Sequence, residues 1–225
     1  MDMNETSTKI FLLVIVVLTG LVVTGAVVWS GGHPAGAPAV NITNVNIDES
    51  DAFAGKADAP VMIAFWSDYQ CPVCKNFELN TLPQLLTEYA DTGKVKIVFM
   101  DMAFLGNDSI DAALYGRSIW KLYPNQYLAW RTAMYTAQDE EGDKGFGDAA
   151  SIDTLNATIS GIDAIQISAD VKENRSTYQA AIAADRAEAK KANITGTPSF
   201  IIGTQLIQGA RPYPTFQEAI NLFLK

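Results

Sequence analysis

The sequence predicts an α/β fold behind a membrane-length apolar helix, and three observations carry this. A strand-helix-strand pattern runs from Val61 to Met100, a helical pattern fills about the next hundred residues, and a strand hairpin with a closing helix ends the chain after Ser199. With 225 residues, 48% of them apolar, and a slightly positive mean hydropathy, the chain can form one or two domains with real cores. Its net charge of -9 repels a phosphate backbone, so nucleic acid is not expected as a partner.

From the N-terminus, Ile10 to Trp29 reads IFLLVIVVLTGLVVTGAVVW, twenty residues without a charge. As a helix this spans about 30 Å, the hydrocarbon thickness of a bilayer, and it exceeds the roughly 7–15 apolar residues of a signal peptide. An uncleaved transmembrane anchor over 10–29 is expected, while PAGAPA at Pro34 to Ala39 offers the small residues of a cleavage site and keeps a removed signal segment open. Lys9 precedes this helix and no Lys or Arg follows before Lys56, so the positive-inside rule makes residues 1–9 a short cytoplasmic tail and puts the remainder outside. Asn-X-Ser/Thr triplets at Asn41, Asn107, Asn156, Asn174 and Asn193 are compatible with that location. Residues 30–45, rich in Gly, Pro and Ala, read as a flexible stalk. The chain's single histidine, His33, lies in the stalk as a solvated residue, so no Ser-His-Asp triad, Cys-His pair or Cys/His zinc site can be assembled.

VMIAFW, Val61 to Trp66, is the near-continuous apolar run of a strand buried on both faces. A helix starts at Pro72 and carries Phe77, Leu79, Leu82, Leu85 and Leu86, with a kink or break expected at Pro83 and an end at Gly93. Lys94 to Met100 is the second strand, joined to the first by a right-handed parallel crossover. Ile110, Leu114 and Leu122, then Tyr127, Trp130 and Met134, form helical stripes that read as core. Asp139 to Asp148, acidic and rich in glycine, fails the EF-hand spacing and reads as a solvated loop. Ser151 to Ile167 suggests short helices and turns, and Asn174 to Ala192 one long alanine-rich helix. Strands Ser199 to Ile202 and Gln205 to Gln208 flank a tight Gly203-Thr204 turn, and Phe216, Ala219, Ile220 and Phe223 give the last helix its core face.

The chemistry concentrates in SDYQCPVCKNF, Ser67 to Phe77, which holds the two cysteines of the chain. A bridge between Cys71 and Cys74 would close so short a loop that it stabilises by only about 2 kcal/mol before strain, a poor reason for the pair. The cysteines fall where the first strand hands over to the helix, and unpaired N–H groups and the positive dipole end there stabilise a thiolate. Cys71 is expected to be the exposed attacking residue, and Cys74, one turn on, can attack a mixed disulfide on Cys71 and release the partner. Pro72 suits the first helical turn because it has no N–H to leave unpaired. Half a zinc site would need two further ligands, and no metal is expected. Lys75 reads as a solvated helix lysine, with help to a thiolate as its other reading.

SDYQCPVC and the distant GTPSFIIGTQLIQG together resemble the DsbA-like thiol-disulfide oxidoreductases of the thioredoxin superfamily, over roughly Asn46 to Lys225. The resemblance implies a thioredoxin-like fold over 46–225, a central mixed sheet flanked by helices, with an inserted helical domain at about 103–192. It implies Cys71 and Cys74 as the redox pair, Pro72, Val73, Thr197 and Pro198 as residues shaping the site, and a cis Thr197-Pro198 bond whose backbone meets an extended substrate peptide. No cofactor is implied. Many relatives carry a buried acid six residues before the first cysteine, where this chain has Phe65, which leaves that proton role to water or backbone. The function expected is donation of the Cys71-Cys74 disulfide to unfolded or immature exported proteins, with a membrane partner that reoxidises the dithiol. Isomerase or reductase action of the same fold, a tethered peptide-binding module with a structural bridge, and a thiol peroxidase are the alternatives.

Overall fold

The computed structural model describes residues 40–139 and 145–224. The expected tail, anchor, cleavage-like segment, His33 and most of the stalk lie outside the described residues, as do residues 140–144 of the acidic loop. Among the described residues no helix is long and apolar enough to cross a membrane.

A 3₁₀ turn at Ile42–Asn44 comes first, followed by β1 (Phe53–Ala54), β2 (Val61–Ser67), α1 (Pro72–Asn80) and α2 (Leu82–Leu85), which runs on as a π-helical turn over Leu86–Ala90. Then come β3 (Val95–Asp101), α3 (Asn107–Leu122), α4 (Tyr127–Ala137), α5 (Ala149–Asn156), α6 (Ala164–Lys191), β4 (Ser199–Ile202), β5 (Gln205–Gln208) and α7 (Tyr213–Asn221). The strands pair in the order β1-β3-β2-β4-β5, with β2 and β3 parallel and every other pair antiparallel. The mixed sheet expected from the sequence is present.

Period-2 geometry explains why β2 needs apolar residues at nearly every position. Ile63 and Phe65 face one core with Phe77, Phe99, Phe200 and Phe216, while Ala64 and Trp66 face a second with Val98, Met100, Ile194 and Ile201. Register places Phe65 opposite Phe99 on β3 and Phe200 on β4, so three aromatic side chains share one level of the sheet. The break expected at Pro83 falls two residues earlier, at Thr81 between α1 and α2, and Pro83 sits in the first turn of α2. Gly203 takes φ +56 in the β4–β5 turn, where a Cβ would lie 2.3 Å from the Phe223 ring, so glycine is required there.

Three expectations need correction. The stalk does not extend to residue 45: Ile42 is buried, and Ile42 N–H bonds the Gly203 carbonyl at 2.7 Å. The long helix α6 begins ten residues earlier than expected, because Asp163 caps it by accepting from Ile165 N and Gln166 N. Its first turn hides its periodicity, since the apolar Ile165 is 83% exposed. Asn156 is fully buried and accepts from Trp130 Nε1 at 2.8 Å, so its triplet is not available as a glycan acceptor. The two-residue β1 escaped the sequence reading because it is too short to carry a pattern.

Two buried arginines lock the helices after β3 onto the sheet. Arg131 on α4 makes a paired contact with Glu78 on α1, at 2.9 and 2.8 Å, and reaches Ser67, Tyr69 and Tyr127. Its guanidinium carbon lies 4.2 Å from the Phe99 ring centre, with Phe65, Tyr69, Tyr127 and Tyr135 around it. Arg117 on α3 binds Asp51, Asp101 and Asp185, three carboxylates against one cation. Burial pushes the Asp185 pKa from 3.8 up to about 8; Arg117 opposes this, and Asp101 and Asp51 add to it.

Removing Glu78 would strand a buried cation, so Glu78→Ala should cost about 3–5 kcal/mol in urea unfolding, and a Glu78→Met/Arg131→Met double variant should recover part of the loss. The second expectation concerns pH. A carboxylate whose folded pKa is raised holds its proton more tightly in the native state, so its contribution to stability falls as pH rises from 3.8 towards 8. Thermal midpoints between pH 5 and pH 8.5 should decline more steeply for the wild type than for Asp185→Asn, by at most about 1.4 kcal/mol per pH unit. Equal slopes would show that Asp185 takes up no proton.

Candidate active site

β2 ends at Ser67, and residues 68–70 turn the chain into α1. The buried Asp68 closes this turn as an Asx motif, accepting from Gln70 N at 2.8 Å. Ser109 Oγ donates to this same oxygen, and the other carboxylate oxygen accepts from Phe104 N at 2.9 Å and Leu105 N at 3.2 Å. The Asp68 carbonyl accepts from Cys71 N at 3.1 Å and from the Tyr135 hydroxyl at 3.3 Å. One residue thus ties the turn to the loop after β3 and to the start of α3. Burial raises the Asp68 pKa against the pull of these donors.

Cys71 is the N-cap residue of α1, with φ -82 and ψ 117, and Pro72 stands at the first helical position. No side-chain oxygen caps this helix. Register brings the second motif alongside: β4 runs antiparallel to β2 with Trp66 opposite Ser199, so Thr197 lies beside Cys71 across 126 residues of sequence. Cys71 Sγ lies 3.5 Å from the Thr197 carbonyl oxygen, within reach of a hydrogen bond when the sulfur is protonated. The Thr197-Pro198 bond is cis, as the resemblance implies, and Pro198 is buried behind it.

Both cysteines are free thiols, but their settings differ. Cys71 is only 6% exposed, which corrects the expectation of an exposed residue: the Thr197 strand end covers it, and Pro72 and the 45%-exposed Val73 form the accessible surface instead. Cys74 is fully buried. A hydrogen bond from the Cys74 thiol lowers the Cys71 pKa from 9.0 to about 6; burial opposes this, while the Thr197 side chain and the N–H groups of Cys74 and Val73 assist. Burial pushes the Cys74 pKa well above its ordinary value, and its hydrogen bond to Cys71 adds to the rise. One sulfur holds a thiolate and the other its proton. This is the division of labour that dithiol-disulfide exchange requires.

Lys75 is not a free surface lysine. Its Nζ donates to the Gln138 carbonyl at 2.8 Å, which directs its charge to the end of α4. Phe65, six residues before Cys71, packs against Phe77 and Phe200 with ring centres 5.1 and 4.6 Å away. Glu78, a turn beyond Cys74 on α1, is held by two of the three guanidinium nitrogens of Arg131 and so is occupied as an ion-pair partner.

Sequence reasoning missed Asp68, Glu78, Arg131 and Gln138. Only Asp68 carried a local signal, an Asp two residues before the N–H it accepts from, just ahead of a helix start.

Residues 48–222 match the family model described as Thioredoxin. A probable disulfide bond formation protein D of Bacillus anthracis is 28% identical over 172 residues, which cover 76% of this chain and 77% of that protein. Among solved structures, oxidised BdbD from Bacillus subtilis superposes with a TM-score of 0.70 at 24% identity, covering 78% of this chain and 93% of that one. The thiol-disulfide exchange protein α-DsbA2 from Wolbachia pipientis gives a TM-score of 0.68 at 26% identity, with 78% and 88% covered. By its matched span, its sheet and its paired cysteines, the chain belongs to the thioredoxin family and is a DsbA-like thiol-disulfide oxidoreductase.

Proposed function

We propose that Cys71 and Cys74 form the redox pair and that the protein donates their disulfide to immature exported proteins outside the cytoplasm. The observation that carries this is the asymmetry of the pair: a Cys71 sulfur at the cap of α1 whose pKa is about 6, above a buried Cys74 that stays protonated.

In the oxidising direction, a substrate thiolate attacks Cys71 Sγ of the disulfide, and Cys74 leaves and takes up a proton. The substrate's second thiolate then attacks its own sulfur in the mixed disulfide, its disulfide forms, and Cys71 departs as a thiolate. The substrate loses two electrons and the enzyme gains them. A low leaving-group pKa speeds this last step. At pH 7 a thiolate with a pKa near 6 instead of 9 stabilises the dithiol by about 1.4 kcal/mol, or about 30 mV towards a stronger oxidant. The names of the Bacillus relatives, disulfide bond formation proteins, support the same direction. The Thr197 backbone beside Cys71 suits an extended peptide laid along the strand end, with Val73 as an apolar contact.

The charge-free segment Ile10–Trp29 supports a membrane anchor with the catalytic domain outside, and a membrane-bound redox partner would return the dithiol to the disulfide.

Alkylation of Cys71 followed against pH should give a midpoint near 6, and Cys74→Ala, which removes the largest stabilising contact, should move it upward towards 9. Cys74→Ser should trap mixed disulfides with exported proteins through Cys71. Equilibration with glutathione tests the direction: a potential as reducing as thioredoxin's, about -270 mV, overturns donation to substrates.

A further inference from the structure

A side chain far from the dithiol in sequence grips the turn that carries it. Gln138, at the C-terminal end of α4 and 6% exposed, donates its amide to the Tyr69 carbonyl at 2.6 Å and to the Cys71 carbonyl at 3.1 Å. The two hydrogens of one NH₂ group thereby span the residues on either side of Gln70. Gln70 is held as well, its own amide donating to the Phe146 carbonyl at 2.9 Å. Gln138 is fixed at its backbone, because its N–H bonds Met134 O at 3.0 Å and its carbonyl accepts from Lys75 Nζ at 2.8 Å. The donor is therefore a set side chain on a set helix end.

We infer that Gln138 is a positioning residue for thiol-disulfide exchange, acting through the Tyr69 and Cys71 carbonyls to hold the Cys71 sulfur in its reactive orientation at the head of α1. This rests on the reading of Cys71 as the attacking thiol.

The physical reason is directional. The sulfur is stabilised by short-range donors, the N–H groups of Val73 and Cys74 and the Cys74 thiol, whose effect weakens steeply with misalignment. Those donors sit on the helix, and the carbonyl of Cys71 is where the turn joins it, accepting from both Lys75 N and Gln138 Nε2. The same amide supplies the positive end of an N–H dipole to two carbonyl oxygens adjacent in sequence to the thiolate, which blunts their repulsion of its charge. Asp68 fixes the turn from the α3 side, and Gln138 fixes it from the α4 side.

The test is Gln138→Met in the full chain, which keeps the bulk and removes both donors. Three quantities are read: the pH midpoint of Cys71 alkylation, the equilibrium with glutathione, and the thermal midpoint of the reduced form. The expected result is a Cys71 midpoint raised by about half a pH unit or more, a more reducing potential and a several-fold lower kcat/KM for oxidation of a dithiol peptide. Gln138→Asn, whose shorter amide cannot span both carbonyls, should shift the midpoint in the same direction and serves if the Met variant does not fold. A folded variant with a lowered thermal midpoint but the wild-type alkylation profile and potential overturns the inference and leaves Gln138 a purely structural residue. If wild-type Cys71 itself shows no depressed midpoint and the Cys74→Ser variant traps no partner, the underlying assignment of Cys71 fails instead.

Discussion

Under the dithiol, the guanidinium of Arg131 is the point at which the helices after β3 become one body with the sheet. It enters from α4 and meets a carboxylate on α1, a hydroxyl at the end of β2 and the faces of aromatic rings from β2, β3 and α4 itself. An arginine suits this place because its planar fork matches a carboxylate while its faces stack on rings, which a lysine cannot do together. A buried ion pair of this kind is weak as a source of stability but strong as a constraint, since neither partner tolerates the loss of the other. The fixed distance between α1 and α4 follows from it. Every finer contact between these helices, including those of Gln138 and Lys75, works within that distance.

The site shows how two identical side chains acquire opposite chemistry from position alone. Cys71 stands before the first helical turn, where N–H groups point outward with no carbonyl to receive them. Cys74 lies three residues on, where the same helix has turned it into the core beneath the aromatic cluster of Phe65, Phe77 and Phe200. Burial costs a charge heavily, so the inner sulfur keeps its proton and gives the outer one a hydrogen bond. Phe65 belongs to the same apolar core as Cys74, and the carboxylate on the same helix, Glu78, is committed to Arg131.

What could be read from the sequence was local. The strand before the cysteines, the proline that starts α1, the break near Pro83 and the Gly203 hairpin each declare themselves within a few residues, through periodicity or backbone restriction. The pairing of Cys71 with Thr197 became legible through a resemblance spanning two distant motifs. Pairings between single polar residues carry no such pattern. Nothing in the spacing of Arg117 with Asp51, Asp101 and Asp185, or of Gln138 with Tyr69, distinguishes them from surface residues before the topology places them inside. The early start of α6 illustrates the opposite error: a real cap at Asp163 was masked by an exposed isoleucine in the first turn of the helix.

The absence of a capping side chain on α1 has a consequence for turnover. At the N-cap of most helices a serine, threonine or aspartate supplies the oxygen that receives the free N–H groups. Here the sulfur of Cys71 is the side chain at that position, and the N–H groups of Val73 and Cys74 favour its anionic form. In any disulfide, whether with Cys74 or with another thiol, the Cys71 sulfur is neutral and leaves the helix uncapped, and its release as a thiolate restores the cap. The backbone of α1 therefore favours the reduced dithiol over every species that holds Cys71 in a disulfide, so the helix itself acts as a spring that pushes this sulfur out of its bonds.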